Sequence, residues 1–565
     1  MALPIGYDNF SSIIEKKLDF IDKTLFIKEL LDNEKTQVAV IIRPRRFGKT
    51  LNLSMLHHFL APEVYGTKTA GFFDDFKISK AGDAYMQHQG KYPVVSITFK
   101  SLQDKSFTAA YNAFCYLISD LYREHRYLLD SDKLYEEEKE TYREILRGNI
   151  ANKAISKNSL QQLCRYLYQH HGVKPWLLID EYDSPIQAAY INGYYDEMIA
   201  FMRGMLGEAL KNNAYLNRAV ITGILRIAKE SLFSGVNNLV VYSLLSNQYS
   251  EYFGFTESEI IKAFKKANLQ THLSQIRDWY NGYTFGETTV YNPWSIVNCI
   301  DNQGELKPYW INTSSNDLVK DLLIKSSMNF KDTFELLLTD GALECVMDEN
   351  MVFADLHKNE SAVWSLLLMT GYLKVVSKYY EPQLTCKLKI PNKEVGYLYR
   401  KIFESWLADG KDPNWYNQFM NFLLNGELEK FEENFKSLLE ETISSHDLSN
   451  NPENFYHGFF IGLTATLYGN NNYEVKSNKE SGYGRYDYFI FSKNPQKYSL
   501  LFEFKRLAEK KSKQLNQALE KSAQEALMQM DLQNYLSEAK QRGANRILKI
   551  ALAFSGKHFK MLYEK

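Results

Sequence analysis

Through the first part of the chain, short, mainly apolar runs alternate with longer stretches of helical periodicity. Val38–Ile42 reads VAVII, Tyr92–Phe99 reads YPVVSITF, Trp176–Asp183 reads WLLIDEYD and Arg218–Gly223 reads RAVITG. Runs of this length, rich in β-branched and aromatic residues, predict strands buried on both faces of a parallel sheet. The segments between them, such as LNLSMLHHFL after the first run, read as helices. Residues 1–250 are therefore expected to form an α/β domain of the β–α alternating class.

After Ser246 the pattern turns mainly helical. Thr256 and Glu259 make a capping box ahead of an amphipathic helix, and Trp279–Thr284 reads as an aromatic turn whose rings pack inward. Between Ser361 and Leu407 the order is helix, two strands, helix, which predicts a winged-helix-like part of a helical lid spanning 251–407. Few positive charges lie on its first helix, which favours packing over DNA reading. Residues 408–450 read as an acidic helical connector, EKFEENFKSLLEETISSHD being typical. From 451 to 565 strands return: SGYGRYDYFI at 481–490, SLLFEFK at 499–505 and ILKIALAF at 547–554.

Composition narrows the function. At 565 residues the chain is long for a single core, so several domains are expected. A net charge of −1 argues against a protein that coats nucleic acid, while leaving room for a local basic patch. The five cysteines are far apart and form no CxxC pair, which predicts a reducing compartment and no structural zinc. Met1–Lys17 lacks the features of a signal peptide, and no run approaches the roughly 20 apolar residues that cross a bilayer. A cytoplasmic protein without membrane attachment is expected.

The first candidate chemistry follows the first strand. RPRRFGKT, residues 43–50, lies between a strand and a helix, the setting a phosphate-binding loop requires. Gly48, Lys49 and Thr50 supply the expected backbone cradle, phosphate cation and magnesium hydroxyl. Arg43, at the position of the generic first glycine, is a candidate nucleotide-binding residue, and Arg45 and Arg46 are candidates for contact with the nucleotide or a neighbouring subunit. Asp180 and Glu181 are the paired acids that end the apolar run of WLLIDEYD; they are expected to hold magnesium and to polarise the attacking water. Thr222, at a strand end, and Arg226 beyond it are candidate sensors of phosphate.

The second lies near the C-terminus. Alternation places Glu503 and Lys505 on one face of their strand, with Asp487 available from the preceding one. Two carboxylates and a lysine suit a metal-dependent hydrolase, with Asp487 and Glu503 holding magnesium or manganese and Lys505 orienting water. Lys505, Arg506, Lys510, Lys511 and Lys513, with Lys521 beyond, form a basic run suited to phosphate contact.

RPRRFGKTLNLSML, LLIDEYD, TGILRIAKESLFSGVNNL, WYNGYTFG with VYNPWSIVNCI, and YWINTSSN together resemble the predicted AAA-ATPase-like proteins of bacteria. Proteins of that family frequently carry a C-terminal domain of the PD-(D/E)XK nuclease superfamily, and their loops commonly open with Arg-Pro. The resemblance implies a P-loop NTPase sheet, a lid, and a restriction-endonuclease-like α/β domain, with ATP, Mg2+ and DNA as ligands. It also implies that Glu453 is a helix-borne metal ligand and that Gln529 and Tyr535 form a Gln-x5-Tyr helix signature positioning DNA or the lysine. The expected function is an ATPase coupled to a metal-dependent nuclease, with homo-oligomerisation open. A signal-transducing NTPase switch with a non-catalytic C-terminal binding module is the alternative.

Overall fold

The computed structural model describes residues 3–148, 150, 152–211, 213–226, 232–233, 236–310, 319, 322, 334, 336–338, 341–349, 356, 359–407, 412, 414–442, 460, 463–467, 472–481, 484–507, 515–532, 536–556 and 558–565. The chain forms two compact units, one of residues 1–318 with 344–394 and one of residues 319–343 with 395–565.

The first unit is organised by β1 (Val38–Ile42), which leads into α1 (Lys49–Leu60). It continues through β2 (Val94–Thr98), α2 (Phe107–Glu124), α3 (Lys153–His171), β3 (Trp176–Asp180), α4 (Tyr195–Leu210), β4 (Arg218–Gly223) and β5 (Leu239–Tyr242). The strands lie in the order β2-β3-β4-β1-β5, and every pairing is parallel. All five residues of β1 and of β3 are buried, as continuous apolar runs require when helices cover both faces. β5 is the strand the pattern did not predict: only four residues long, it lies at the sheet edge against β1.

Beyond the sheet come β6 (Phe255–Thr256), α5 (Glu257–Lys266), β7 (Tyr283–Phe285), β8 (Thr288–Tyr291) and α6 (Pro293–Asp301). The capping box of α5 is present, with Glu259 accepting the Thr256 N–H at 2.8 Å. Trp279 and Tyr280 end a helix rather than form a turn, and Tyr280 and Tyr283 are buried. The predicted helix–strand–strand–helix order is met by α7 (Glu360–Met369), β10 (Lys374–Tyr379), β11 (Thr385–Lys389) and α8 (Lys393–Leu407). A further strand, β9 (Leu343–Val346), pairs beside β11. Among the described residues, no helix is long and apolar enough to cross a membrane.

In the second unit α9 (Trp415–Asn425) and α10 (Leu428–Thr442) precede a mixed sheet. Its strands are β12 (Tyr473–Ser481), β13 (Gly484–Ser492), β14 (Ser499–Arg506), β15 (Ile547–Ser555) and β16 (His558–Glu564), lying side by side in chain order. Only β14 and β15 run parallel, and α11 (Leu515–Leu532) makes the crossover between them. Within the stretch that reads as a connector, α9 and α10 contribute to the core here. Phe419, Phe431 and Phe435 pack with Phe460, Phe502 and Phe554, because the apolar residues of both helices recur at helical spacing on one face. The opposite face of the sheet, with Leu501 and Ala551, packs on Leu519, Ala523 and Ala526 of α11.

Candidate functional site

The loop after β1 turns at Gly48, whose φ of 83° is a left-handed conformation that a side chain would strain. Lys49 then opens α1. Its buried Nζ donates to the loop's own carbonyls, Arg43 O at 3.1 Å and Pro44 O at 2.9 Å. Burial lowers its pKa, opposed by the charges of Asp180 and Glu181. Thr50 Oγ1 donates to Asp180 Oδ2 at 2.6 Å, Thr222 Oγ1 donates to Asp180 Oδ1, and the Glu181 N–H donates to the same oxygen at 3.1 Å. The end of β3 thus meets the start of α1 through one carboxylate. Glu181 has a φ of 52°, and its Oε2 accepts from Ser184 Oγ at 3.0 Å. Such a backbone conformation in a non-glycine residue costs about 1–3 kcal/mol and is concentrated at functional sites.

Beside Asp180 lies a cavity of about 540 Å3, a size suited to a nucleotide-scale ligand. Arg45, Arg46, Gly48, Lys49, Thr50 and Glu181 line it, with Tyr7, Phe20 and Trp294 among its aromatic walls. Arg43 does not belong to the lining. Its fully buried guanidinium donates to the carbonyls of Ile42 at 2.7 Å, and of Tyr242 and Ser243 at 3.0 Å each. Rings of Phe253 and Phe285 lie within 5.4 and 5.0 Å of it. Burial pushes its pKa down to about 9. The side chain points into the core because β5 ends beside the loop and presents carbonyls there. Thr222 is likewise buried behind the cavity, and Arg226 lies 3.8 Å from Glu349.

In the C-terminal unit the side chains of β14 alternate strictly. Phe502 and Phe504 enter the core under α9 and α10, so Glu503 and Lys505 share the face covered by α11. Lys505 Nζ donates to Glu503 Oε1 at 3.2 Å and to Gln529 Oε1 on α11 at 2.6 Å. Asp487 Oδ2, from β13, accepts the Phe504 N–H at 2.6 Å. Glu503 is 2% exposed, and its Oε2 has no partner among the described residues. Burial, reinforced by Asp487, pushes its pKa up to about 7. Glu453, Tyr535, Lys510, Lys511 and Lys513 lie outside the described residues. Among the described residues no group of three or more His, Cys, Asp or Glu side chains is arranged to hold a metal.

Residues 4–233 match the model of a family described as predicted AAA-ATPase, and residues 451–564 match the PD-(D/E)XK nuclease superfamily. The chain carries an AAA-ATPase-like domain and a PD-(D/E)XK nuclease-superfamily domain. It is also 25% identical over 511 residues to an uncharacterised protein in the vnfD 5′ region of Azotobacter chroococcum mcd 1, with 89% of each chain covered.

In the AAA-ATPase-like domain, sequence reasoning passed over Asp183, the last acid of LLIDEYD. It is buried, and its Oδ2 accepts the N–H groups of Ile224 and Leu225 at 2.9 Å each, tying the loop after β4 to the end of β3. Gly223 completes this junction: a β-carbon there would stand 2.5 Å from Tyr182 Cε1 and 2.7 Å from Asp183 Oδ1. The spacing of three acids in four residues was a visible signal. Trp294, far along the chain from the loop it faces, carried none.

In the PD-(D/E)XK domain, the fit to a divalent cation rests on Glu503 Oε2. A buried carboxylate oxygen without a donor is costly, and an oxygen pair from Asp487 and Glu503 is the hard donor set Mg2+ and Mn2+ prefer. In the AAA-ATPase-like domain the fit to Mg2+ rests on Thr50 and Asp180, hydroxyl and carboxylate already in contact.

Proposed function

We propose that the chain binds and hydrolyses ATP and that its nucleotide cycle governs a metal-dependent nuclease acting on DNA. The observation that carries this reading is the centre formed by Asp487, Glu503, Lys505 and Gln529, in which one buried Glu503 side-chain oxygen lacks a donor among the described residues.

In the AAA-ATPase-like domain, Lys49 would exchange the Arg43 and Pro44 carbonyls for phosphate oxygens, while Gly48 brings backbone N–H groups close. Thr50 and Asp180 would hold Mg2+, and Glu181, at the cavity wall, would orient the attacking water. Thr222 acts through Asp180, by fixing the carboxylate. In the PD-(D/E)XK domain, Asp487 and Glu503 would hold Mg2+ or Mn2+, which when bound supplies charge stabilisation at the scissile phosphate. Lys505, steadied by Gln529, would orient the attacking water. Arg506, exposed at the strand end, suits contact with the DNA backbone.

The test is a cleavage panel of single- and double-stranded DNA and RNA with Mg2+ or Mn2+, run with ATP, with ADP and without nucleotide. Metal-dependent cleavage lost in Asp487→Ala, Glu503→Ala and Lys505→Ala supports the nuclease. Binding without cleavage would make the domain a nucleic-acid-binding module instead. Equal cleavage in all three nucleotide states, and in Lys49→Ala, would remove the coupling.

A further inference from the structure

Arg46 is the loop residue whose side chain is parked rather than bonded. Its guanidinium carbon stands 4.4 Å from the ring centre of Trp294, and its φ of 68° is left-handed. Among the described residues, that ring is its one close partner. Arg46 and Trp294 line the same cavity as Lys49 and Glu181, and the charge of Glu181 acts on the guanidinium.

Trp294 is itself held firmly. It is the second residue of α6, its indole Nε1 donates to Tyr309 O at 3.2 Å, and its N–H donates to the capping Asn292 side chain at 2.9 Å. The next residue, Ser295, donates to Glu394 Oε2 at 2.8 Å, and Glu394 Oε1 accepts the Trp310 N–H at 2.8 Å. Trp310 Nε1 in turn donates to Arg45 O at 3.3 Å. Ser295 and Glu394 are fully buried. Two successive loop residues are therefore tied to one small module, Arg45 through its main chain and Arg46 through its side chain, and Glu394 joins the two ties.

We propose that Arg46 is the triphosphate sensor of this cavity. Without nucleotide it rests on Trp294; a bound nucleoside triphosphate draws it to the terminal phosphate beside Glu181, and the indole registers its departure in α6. The exchange runs in that direction because a charge-assisted bond from arginine to phosphate is stronger than a partly exposed cation–π contact. A diphosphate ends at the groups Lys49 already reaches, so it leaves Arg46 in place. This inference rests on the nucleotide reading above.

The experiment measures affinities of the full chain for ATPγS and ADP with Mg2+ by calorimetry, alongside tryptophan fluorescence, in wild type, Arg46→Ala, Arg46→Lys and Trp294→Phe. The wild type is expected to prefer ATPγS and to show a fluorescence step with ATPγS but not ADP. Arg46→Ala should lose roughly ten- to a hundredfold in ATPγS affinity, with ADP affinity unchanged and the step gone. Arg46→Lys should recover part of that affinity, and Trp294→Phe should lose the step while still binding ATPγS. An unchanged ratio of ATPγS to ADP affinity in Arg46→Ala, measured in a protein that binds both, overturns the sensor alone. Failure of the wild type to bind either nucleotide overturns the nucleotide reading and the sensor with it.

Discussion

In the AAA-ATPase-like domain, Asp180 ends a central strand with both carboxylate oxygens taken, by Thr50 on one side and by Thr222 and the Glu181 N–H on the other. In the PD-(D/E)XK domain, Glu503 lies equally deep in a central strand, yet among the described residues only one of its side-chain oxygens has a donor. The difference separates two kinds of readiness. The first centre has its acid fixed in place by protein donors before any ligand arrives. The second retains an electrostatic deficit that a proton or a cation relieves, so metal and pH are expected to act most strongly there.

The largest test of that contrast is catalytic. Lys505→Ala and Glu503→Ala should each lower phosphodiester cleavage by roughly 10²–10⁴-fold with ATP turnover unchanged, while Glu181→Gln should lower ATP turnover by a similar factor and leave nucleotide binding intact. Parallel rate measurements of both reactions on one panel of proteins check this, and a loss of ATP turnover in Lys505→Ala or Glu503→Ala would break the separation.

Next in size is the response to pH. The Glu503 carboxyl is raised to about 7, so the folded chain holds its proton where the unfolded chain has released it. Stability from this group is therefore full below the ordinary carboxylate range and declines as pH rises through about 7, by at most about 3 kcal/mol. Metal competes for the same site, so Mn2+ affinity should fall about tenfold per pH unit below 7. Denaturant unfolding and calorimetry from pH 5 to 8 measure both, and Glu503→Gln should flatten both profiles.

Smaller effects sharpen the description of the nucleotide side. Gly223→Ala forces a β-carbon against Tyr182 and Asp183 and should destabilise the protein by about 1–3 kcal/mol in thermal unfolding. Thr222→Val removes one donor to Asp180; the expected cost is about 1 kcal/mol, with ATP turnover reduced less than tenfold. If Thr222→Val matched Glu181→Gln, Thr222 would be touching the nucleotide rather than supporting Asp180.

What could be read in the chain beforehand was what is local in it. GKT after a buried strand and LLIDEYD are contiguous, and the period-2 rule alone put Glu503 and Lys505 on one face. The direction of Arg43 was not legible, because it depends on β5, a four-residue edge strand some 200 positions away that signals weakly. Family likeness leaves Gln529 to position either DNA or the lysine; its contact with Lys505 depends on how α11 lies over the sheet. The charge of residues 408–450 suggests a connector, but the apolar faces of α9 and α10 within it determine where those two helices pack.

Arg43 gives the loop an unusual foundation. Its guanidinium stands among the carbonyls of Ile42, Tyr242 and Ser243 much as a bound ion stands in a cage of oxygens, except that this ion is covalently part of the chain and cannot dissociate. The generic phosphate-loop pattern places glycine at that position. Repairing the sequence toward the pattern would therefore empty the cage and leave buried carbonyls facing one another, so here the consensus residue is the damaging one.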